Sequence, residues 1–112
     1  MKVNVLGTEY TILHKKESED KTLKGIDGYC DSSTKTIVLL VLEEKDMDKK
    51  DLKFYEKSVL RHELIHAFLS ESGLESSAGQ VQGSWAANEE MVDWIAIQFP
   101  KMLKAFEEVG AL

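Results

Sequence analysis

Short runs of near-alternating hydrophobic and polar residues occupy the first half of the chain, a pattern typical of β-strands with one buried face. Residues 2–6 and 9–14 carry this pattern on either side of Gly7 and Thr8. A glycine between two such runs favours a tight turn, so the sequence predicts a β-hairpin here.

The next two runs, residues 28–31 and 35–42, flank Ser32-Ser33-Thr34 and predict a second hairpin. From Ile37 to Leu42 every residue is apolar, so the second strand of this hairpin has no polar face. Strands of this kind lie inside a sheet whose two faces are both covered. The strand is therefore predicted to be central and covered by helices.

Helical spacing replaces the alternation in the second half of the chain. A polar connection at residues 43–50 leads into a long helix that is predicted to end near Ser72. Asp48 or Asp51 is expected to cap the start of this helix, because a carboxylate accepts hydrogen bonds from the first free backbone N–H groups. Gly73 is expected to stop it.

Two further helices are predicted after the long one. Residues 73–84 are rich in glycine and serine and are expected to form a loop, which leads into a helix over residues 86–98. Pro100 is expected to open a third helix that ends near Val109, because proline is favoured at the first helical position. Strands followed by helices predict an α+β fold, a small antiparallel or mixed sheet packed on three helices.

Composition narrows the class of protein further. The 112 residues suit a single domain, residues 1–112, with a packed core, and the lone Cys30 excludes an intrachain disulfide and a cysteine-rich zinc site. Lysines are interspersed with acids and the net charge is −6, so we expect no binding to nucleic acid. The sequence shows no signal peptide and no apolar run long enough to span a bilayer, which predicts a cytoplasmic protein that does not bind membranes.

The segment His62-Glu63-Leu64-Ile65-His66 carries the strongest chemical signal. Residues four apart lie on one face of a helix, so His62 and His66 can direct two imidazole nitrogens at one metal ion. Glu63 is rotated by one residue and can reach a water on that ion without being a ligand. The surrounding apolar residues predict a buried helix, where unpaired polar side chains would be costly and a metal removes the cost.

Two histidines do not complete a catalytic zinc site, which usually has three protein ligands. Glu89 and Asp93 lie four apart downstream and would share one helix face. Glu89 could bind the ion while Asp93 accepts the remaining N–H of a ligand histidine. Glu90 would point about 100° away from Glu89 on a helix and is the rival third ligand.

These two segments resemble the signature of the gluzincins, the thermolysin-like zinc peptidases. That signature is His-Glu-x-x-His followed by Asn-Glu-x-x-x-Asp, the latter matched here by residues 88–93 without substitution. The interval from His66 to Glu89 is 23 residues. The resemblance implies one Zn²⁺ per chain and a full set of roles: ligands His62, His66 and Glu89, general base Glu63, and Asp93 as the residue that orients a histidine.

In length the chain is similar to the minigluzincins and to small phage and prophage proteins of this layout. Such proteins consist of a small sheet and three helices, so the resemblance implies a minimal zincin-like fold. It also implies that the chain hydrolyses peptide bonds in a peptide or protein substrate. We expect an extended peptide to lie antiparallel to an edge strand of the sheet, and residues 28–31 are a candidate for that strand.

The chain departs from the larger gluzincins in the residues that stabilise the oxyanion. Those enzymes use a histidine from a C-terminal domain and a tyrosine shortly before the third ligand, and neither occurs at the matching positions here. The other candidates in the chain are Tyr10, Tyr29, Tyr55 and His14.

The departure leaves an alternative open, a weak or latent zinc-binding protein, phage-encoded or otherwise, that acts as a structural or partner-binding module. The presence of Glu63 favours catalysis, because a structural zinc site has no use for a general base.

Three more residues carry expectations of their own. Trp94 lies beside two isoleucines and is expected in the core. Trp85, at the junction of loop and helix, is expected to pack in the core or at the hinge, and the alternative is that it lines a substrate pocket. Arg61 is a candidate to pair with an acid such as Glu90.

Overall fold

The structure, a computed structural model, describes residues 1–43, 51–79 and 83–112. The predicted polar connection beyond residue 43, with Asp48, and part of the predicted loop at 73–84 fall outside the described residues. The elements of the described part are β1 Lys2–Val5, β2 Thr8–Lys15, β3 Gly28–Asp31, β4 Thr36–Leu40, α1 Leu52–Glu71, α2 Leu74–Ser77 and α3 Glu89–Glu108.

The four strands form one mixed sheet in the order β1-β2-β4-β3. Both predicted hairpins are present, since β1 pairs antiparallel with β2 and β3 pairs antiparallel with β4. The two hairpins join through a parallel pairing of β2 with β4, which places Leu13 opposite Val38. β4 is therefore an interior strand, as its apolar sequence predicts, while β3 lies at an edge. The α+β expectation of a small sheet packed on helices is confirmed.

Helix α1 lies between the sheet and α3 and contacts both. Its sheet-facing residues, among them Ala67 and Leu64, pack on a core that includes Ile37 and Leu39 of β4. On its other side Leu69 packs with Val92 of α3. Helix α1 thus has the sheet on one side and α3 on the other. Side chains at the border between these two sides of α1 can approach both β3 and α3.

The ends of α1 follow the predicted chemistry. The Asp51 side chain accepts a hydrogen bond from the Phe54 N–H at 3.0 Å and caps the N-terminus. Gly73 has a φ of 85°, a left-handed conformation that glycine adopts without steric cost, and α1 ends two residues before it. Near the start of the helix, a Cβ on Gly28 would lie 3.3 Å from Val59 and 3.0 Å from the Val38 carbonyl, so β3 and α1 are close here.

The prediction of separate helices over residues 86–98 and from Pro100 is wrong. One helix, α3, runs from Glu89 to Glu108 with Pro100 inside it. A proline removes the N–H that would bond to the carbonyl four residues earlier, here that of Ala96. In this fold Arg61 of α1 supplies a replacement donor to that carbonyl, and the helix continues past the proline.

Three smaller expectations also need correction. The predicted loop contains the short helix α2, and the chain forms a 3₁₀ turn at Trp85–Ala87 where a helix was expected to begin. Trp85 and Trp94 are 60% and 56% exposed, so neither belongs to the core. Val92 and Ala96 form the buried side of α3, and Trp94 lies two residues from each, which points it away from that side. In the described part of the chain, no helix is both long and apolar enough to cross a bilayer.

A carboxylate at the C-terminal end of α1 bonds to the sheet. Glu71 accepts hydrogen bonds from the Tyr10 hydroxyl at 2.7 Å, the Thr8 hydroxyl at 3.1 Å and Lys35 Nζ at 2.7 Å. These donors hold the pKa of Glu71 below its ordinary 4.5, with Lys35 the largest contributor, then Tyr10. Because Tyr10 itself is fully buried, its hydroxyl depends on this partner.

Tyr10→Phe removes one of these donors without changing the shape of the core. We expect the free energy of unfolding to fall by about 1.5–3 kcal/mol near neutral pH, the range of a hydrogen bond to a charged group. The lowered pKa of Glu71 means that folding favours the ionised carboxylate. The stabilisation is therefore present above the ordinary pKa and is lost as the pH falls through the lower folded-state value.

Urea denaturation of wild type and Tyr10→Phe, at a series of pH values from neutral downward, measures this difference. The gap between the two proteins should narrow in acid. A gap that is independent of pH would contradict the role of the Glu71 charge.

Candidate metal centre

Helices α1 and α3 run in opposite directions and bring three predicted ligands together. His62 Nε2 and His66 Nε2 are 3.1 Å apart. Glu89 places one carboxylate oxygen 3.0 Å from His62 Nε2 and the other 3.1 Å from His66 Nε2. These three side chains are the one group in the described part of the chain whose ligand atoms could converge on a metal ion.

The spacing of the ligand atoms fits a zinc ion. Nitrogen and oxygen ligands lie about 2.0–2.1 Å from zinc, so two ligands of a tetrahedral ion are about 3.3–3.4 Å apart. The observed separations of 3.0 to 3.1 Å are slightly shorter than this. The two Glu89 distances involve different carboxylate oxygens. With one ligand atom taken from each residue, the three atoms lie within 4.8 Å of one another, so a rotation of the Glu89 carboxylate would bring them together around a zinc ion with one position left open.

The proton position on His62 is set by Asp93. Asp93 Oδ1 lies 2.7 Å from His62 Nδ1, and an ionised carboxylate can only accept, so Nδ1–H is the donor. In the neutral ring the other nitrogen, Nε2, then carries the lone pair. That nitrogen is the one that faces His66 and Glu89, so Asp93 holds His62 in the tautomer that binds metals.

The donor chemistry of the cluster calls for a positive centre. With Nδ1–H bonded to Asp93, the lone pair of His62 Nε2 meets an oxygen of Glu89 at 3.0 Å, and both atoms are acceptors. Two acceptors at this distance repel unless a cation or a proton lies between them. A proton on Nε2 satisfies that one contact, whereas a metal ion satisfies all three acceptors at once.

The local sequence explains why Glu89 is well placed. Asn88 caps α3, because its side chain accepts a hydrogen bond from the Met91 N–H at 2.9 Å. Glu89 is thus the first helical residue, where the positive end of the helix dipole favours a carboxylate. Asp93 follows one turn later and reaches His62. The rival ligand Glu90 does not belong to the converging group.

Glu63 is the one buried charged residue in the described part of the chain, with 7% of its surface exposed. One of its oxygens lies 4.0 Å from His62 Nε2, which places the carboxylate beside the cluster and outside it. Burial raises the pKa of Glu63 to about 7, the nearby His66 opposes the rise, and the Glu89 charge adds to it. The side chain is positioned to exchange a proton with a group held at the cluster.

The cluster opens into a cleft of about 700 Å³ between edge strand β3 and the two long helices. Asp27 and Glu75 line the cleft in addition to the carboxylates already described, and no lysine or arginine is among its described lining residues. Cys30 also lines it, but burial raises the pKa of this thiol to about 12, so it remains protonated and is a poor nucleophile.

Only two of the four candidates for oxyanion stabilisation line the cleft. Tyr29 and Tyr55 do so. Tyr10 bonds to Glu71, and His14 bonds to Glu56 at 2.8 Å. Neither Tyr10 nor His14 is among the described lining residues.

The hydroxyls of both cleft tyrosines are hydrogen-bonded to carboxylates, that of Tyr29 to Asp20 and that of Tyr55 to Asp27. The hydrogen bond to Asp20 raises the pKa of Tyr29 to about 12, and burial raises that of Tyr55 to about 12. Both hydroxyls therefore keep their protons at neutral pH.

Sequence reasoning did not place Asp27 or Glu75 at the site, and it named Tyr55 only as one of four candidates for oxyanion stabilisation. A signal for Tyr55 was present, because it lies seven residues before His62 and so on the same face of α1, two turns away. Asp27 and Glu75 had no comparable signal, since Asp27 directly precedes β3, Glu75 lies on the short helix α2, and the positions of both elements depend on the tertiary fold. Comparison of the chain with protein-family models, with curated proteins and with solved structures returned no match.

The geometry predicts close to one zinc ion per chain, held by His62, His66 and Glu89. His66→Ala and Glu89→Ala should each weaken zinc binding by orders of magnitude, because each removes a ligand atom. Elemental analysis of the purified protein and competition with a chromophoric chelator give the stoichiometry and the affinity.

Two neighbouring acids serve as internal controls. Glu90→Ala should leave the zinc affinity nearly unchanged, and Asp93→Asn should lower it by roughly 10–100-fold, the usual loss when the partner of a ligand histidine is removed. Undiminished zinc in His66→Ala, or loss of zinc in Glu90→Ala only, would contradict this ligand set.

Proposed function

We propose that this protein is a zinc-dependent peptidase of the gluzincin type, with Glu63 as its general base. The observation that carries the proposal is the position of Glu63, a buried carboxylate 4.0 Å from His62 and outside the ligand group. A purely structural zinc site gains nothing from such a residue, and burying it costs free energy. A hydrolase needs a base at this place.

Different residues of the chain have different roles in the proposed reaction. Zinc bound here would polarise the scissile carbonyl and make a water molecule more acidic. Glu63 accepts the proton from the attacking water and delivers it to the leaving amine. Asp93 holds His62 in its metal-binding tautomer throughout.

Edge strand β3 offers a binding surface for an extended peptide. One side of β3 pairs with β4, and its residues Gly28 to Cys30 also line the cleft. The backbone groups on the outer side can pair with a substrate strand that lies antiparallel to β3. The scissile bond of such a peptide would then pass beside the cluster on α1.

A second candidate function is a zinc-binding module of weak or latent activity that acts by binding a partner. The cleft tyrosines favour this alternative, because the hydroxyls of Tyr29 and Tyr55 already bond to Asp20 and Asp27. A donor committed to a carboxylate must change partner before it can stabilise an oxyanion. Activity would then be low even with zinc and Glu63 in place.

Glu63→Gln separates the two functions. Glutamine keeps the shape of the side chain but cannot take a proton from water, so zinc content and folding should be unchanged. Cleavage of unstructured peptides should fall by about 10²–10⁴-fold, the usual contribution of a general base. Mass spectrometry of a mixed peptide library incubated with wild type, Glu63→Gln and chelator-treated wild type measures the effect.

Equal cleavage by wild type and Glu63→Gln would exclude Glu63 as the base. If zinc-loaded wild type cleaves nothing, the peptidase proposal fails and the binding module remains.

The charge of the cleft favours basic peptides as substrates. Five carboxylates line the cleft, and two positive charges on a zinc ion would leave it net negative. Glu75 is the acid with the clearest role in specificity, because it is exposed on α2 and lies outside the ligand cluster. A lysine or arginine side chain of a substrate would gain from its field.

Glu75→Gln should raise the KM for lysine- and arginine-rich peptides by up to about fivefold, the range of an exposed ion pair, with kcat unchanged. The KM for neutral peptides should not move, and the difference should fade at high ionic strength. Glu108→Gln, an exposed acid outside the cleft lining, is the matched control. An equal change for neutral and basic peptides would refute the charge preference.

A further inference from the structure

The chain's only arginine bonds to the carbonyl that its only proline leaves without a helical partner. We propose that this contact makes Arg61 a positioning residue for the metal centre. It fixes the position of α3 along the helix axis, so that Glu89 and Asp93 lie opposite the histidines of α1. The inference rests on the proposed metal site, and it adds a residue that touches neither metal nor substrate.

The acceptor in this contact is created by Pro100. In an α-helix the N–H of each residue donates to the carbonyl four residues before it, and proline has no N–H. The carbonyl of Ala96 therefore lacks its helical donor. Ala96 is 1% exposed, so water has little access to this part of the helix. A buried carbonyl without a donor is unfavourable, and a side chain must satisfy it.

Arg61 provides that donor from the neighbouring helix. Its Nε lies 2.6 Å from the Ala96 carbonyl oxygen, a short distance typical of a hydrogen bond from a charged donor. Arginine is protonated at every accessible pH, so the donor is permanent. Arg61 also directly precedes His62, so a displacement of the Arg61 backbone also displaces the proposed ligand His62.

Three of the contacts between the two antiparallel helices follow one another along the helix axes. Arg61 meets Ala96, His62 meets Asp93, and His66 meets Glu89. Residue numbers rise along α1 as they fall along α3, so all three contacts are broken together if α3 slides. The contact of Arg61 is the one of the three that does not involve a proposed ligand.

A metal site requires its ligands to be placed accurately, which is why a contact that fixes the position of α3 matters. Sliding α3 by one residue along its axis moves it by about 1.5 Å. Zinc–ligand distances tolerate about 0.2 Å. Hydrophobic packing is non-directional and fixes the helix height only loosely. A directional hydrogen bond at Ala96, two turns from Glu89, restricts the slide before any metal is bound.

The direction in which zinc affinity changes when Arg61 is removed distinguishes a positioning role from an effect of its charge. A guanidinium near a divalent cation repels it, so on charge grounds alone removal of Arg61 would raise the zinc affinity. Positioning predicts the opposite. Lys57 lies one turn earlier on α1 and is exposed, so Lys57→Met removes a comparable charge without removing the contact with α3.

The experiment measures zinc affinity of the full chain by chelator competition, for Arg61→Met in two backgrounds, wild type and Pro100→Ala. In the wild-type background we expect affinity to fall at least about tenfold, in the range seen when supporting residues of metal sites are removed. In the Pro100→Ala background residue 100 supplies the missing N–H. The same change should then cost less than about threefold, and Lys57→Met should cost nothing.

Arg61→Lys guards against a variant that fails to fold. Lysine keeps the charge and carries its donor one bond farther from the backbone than Nε, so it should lose less affinity than Arg61→Met, with an unfolding transition in chelator that shows the fold to be intact. An unchanged or higher affinity in both Arg61 variants, or an equal loss in the two backgrounds, overturns the positioning role. Wild type that binds no zinc overturns the metal site itself, which is a different outcome from zinc-binding wild type and unaffected variants.

Discussion

The antiparallel contact of α1 with α3 is the constraint on which the candidate site depends. Each helix carries only part of the candidate metal centre: two imidazoles and a buried carboxylate on α1, and on α3 one carboxylate together with Asp93, which bonds to His62. Imidazole and carboxylate groups attract a divalent cation strongly only when they converge within a few ångströms. The relative height of the two helices therefore decides whether these residues form one site or lie as separate polar groups.

The sheet fixes the position of α1 and, through it, the cleft. Glu71 connects the end of the helix to three donors from β2 and its neighbourhood, and Gly28 allows β3 to approach the start of the same helix. Contacts with the sheet therefore hold α1 at its C-terminal end and, near Val59, in its first half. The face that carries His62 and His66 borders the groove between β3 and α3.

Local pattern was sufficient to predict the elements whose formation depends on local chemistry. Alternation predicted both hairpins, the apolar run predicted that β4 is interior, and Asp51 and Gly73 predicted the ends of α1. The four-residue spacing of His62 and His66 is a property of one helix, so it too could be found from sequence.

Predictions failed where a distant residue decides the outcome. Pro100 indicates a helix start if only its own neighbours are considered, and the side chain that bonds to the carbonyl freed by the proline lies 39 positions earlier in the chain. Trp94 lies among apolar neighbours along the chain, but the packing of Val92 on α1 determines which side of α3 is buried. The height of α3 against α1, and the acids that line the cleft, likewise depend on tertiary packing that no short motif encodes.

The strand order carries a consequence for how the chain assembles. β4 lies between β2 and β3 although it follows both in sequence, so β3 reaches the sheet only through β4. The two hairpins close over short turns and can form within microseconds, whereas their parallel junction joins more distant segments and must come later. His62, His66, Glu89 and Asp93 all lie after this junction in the chain. During synthesis, a nascent chain could therefore complete its sheet before the last proposed ligand leaves the ribosome, and binding of the proposed metal would then be a late step in its maturation.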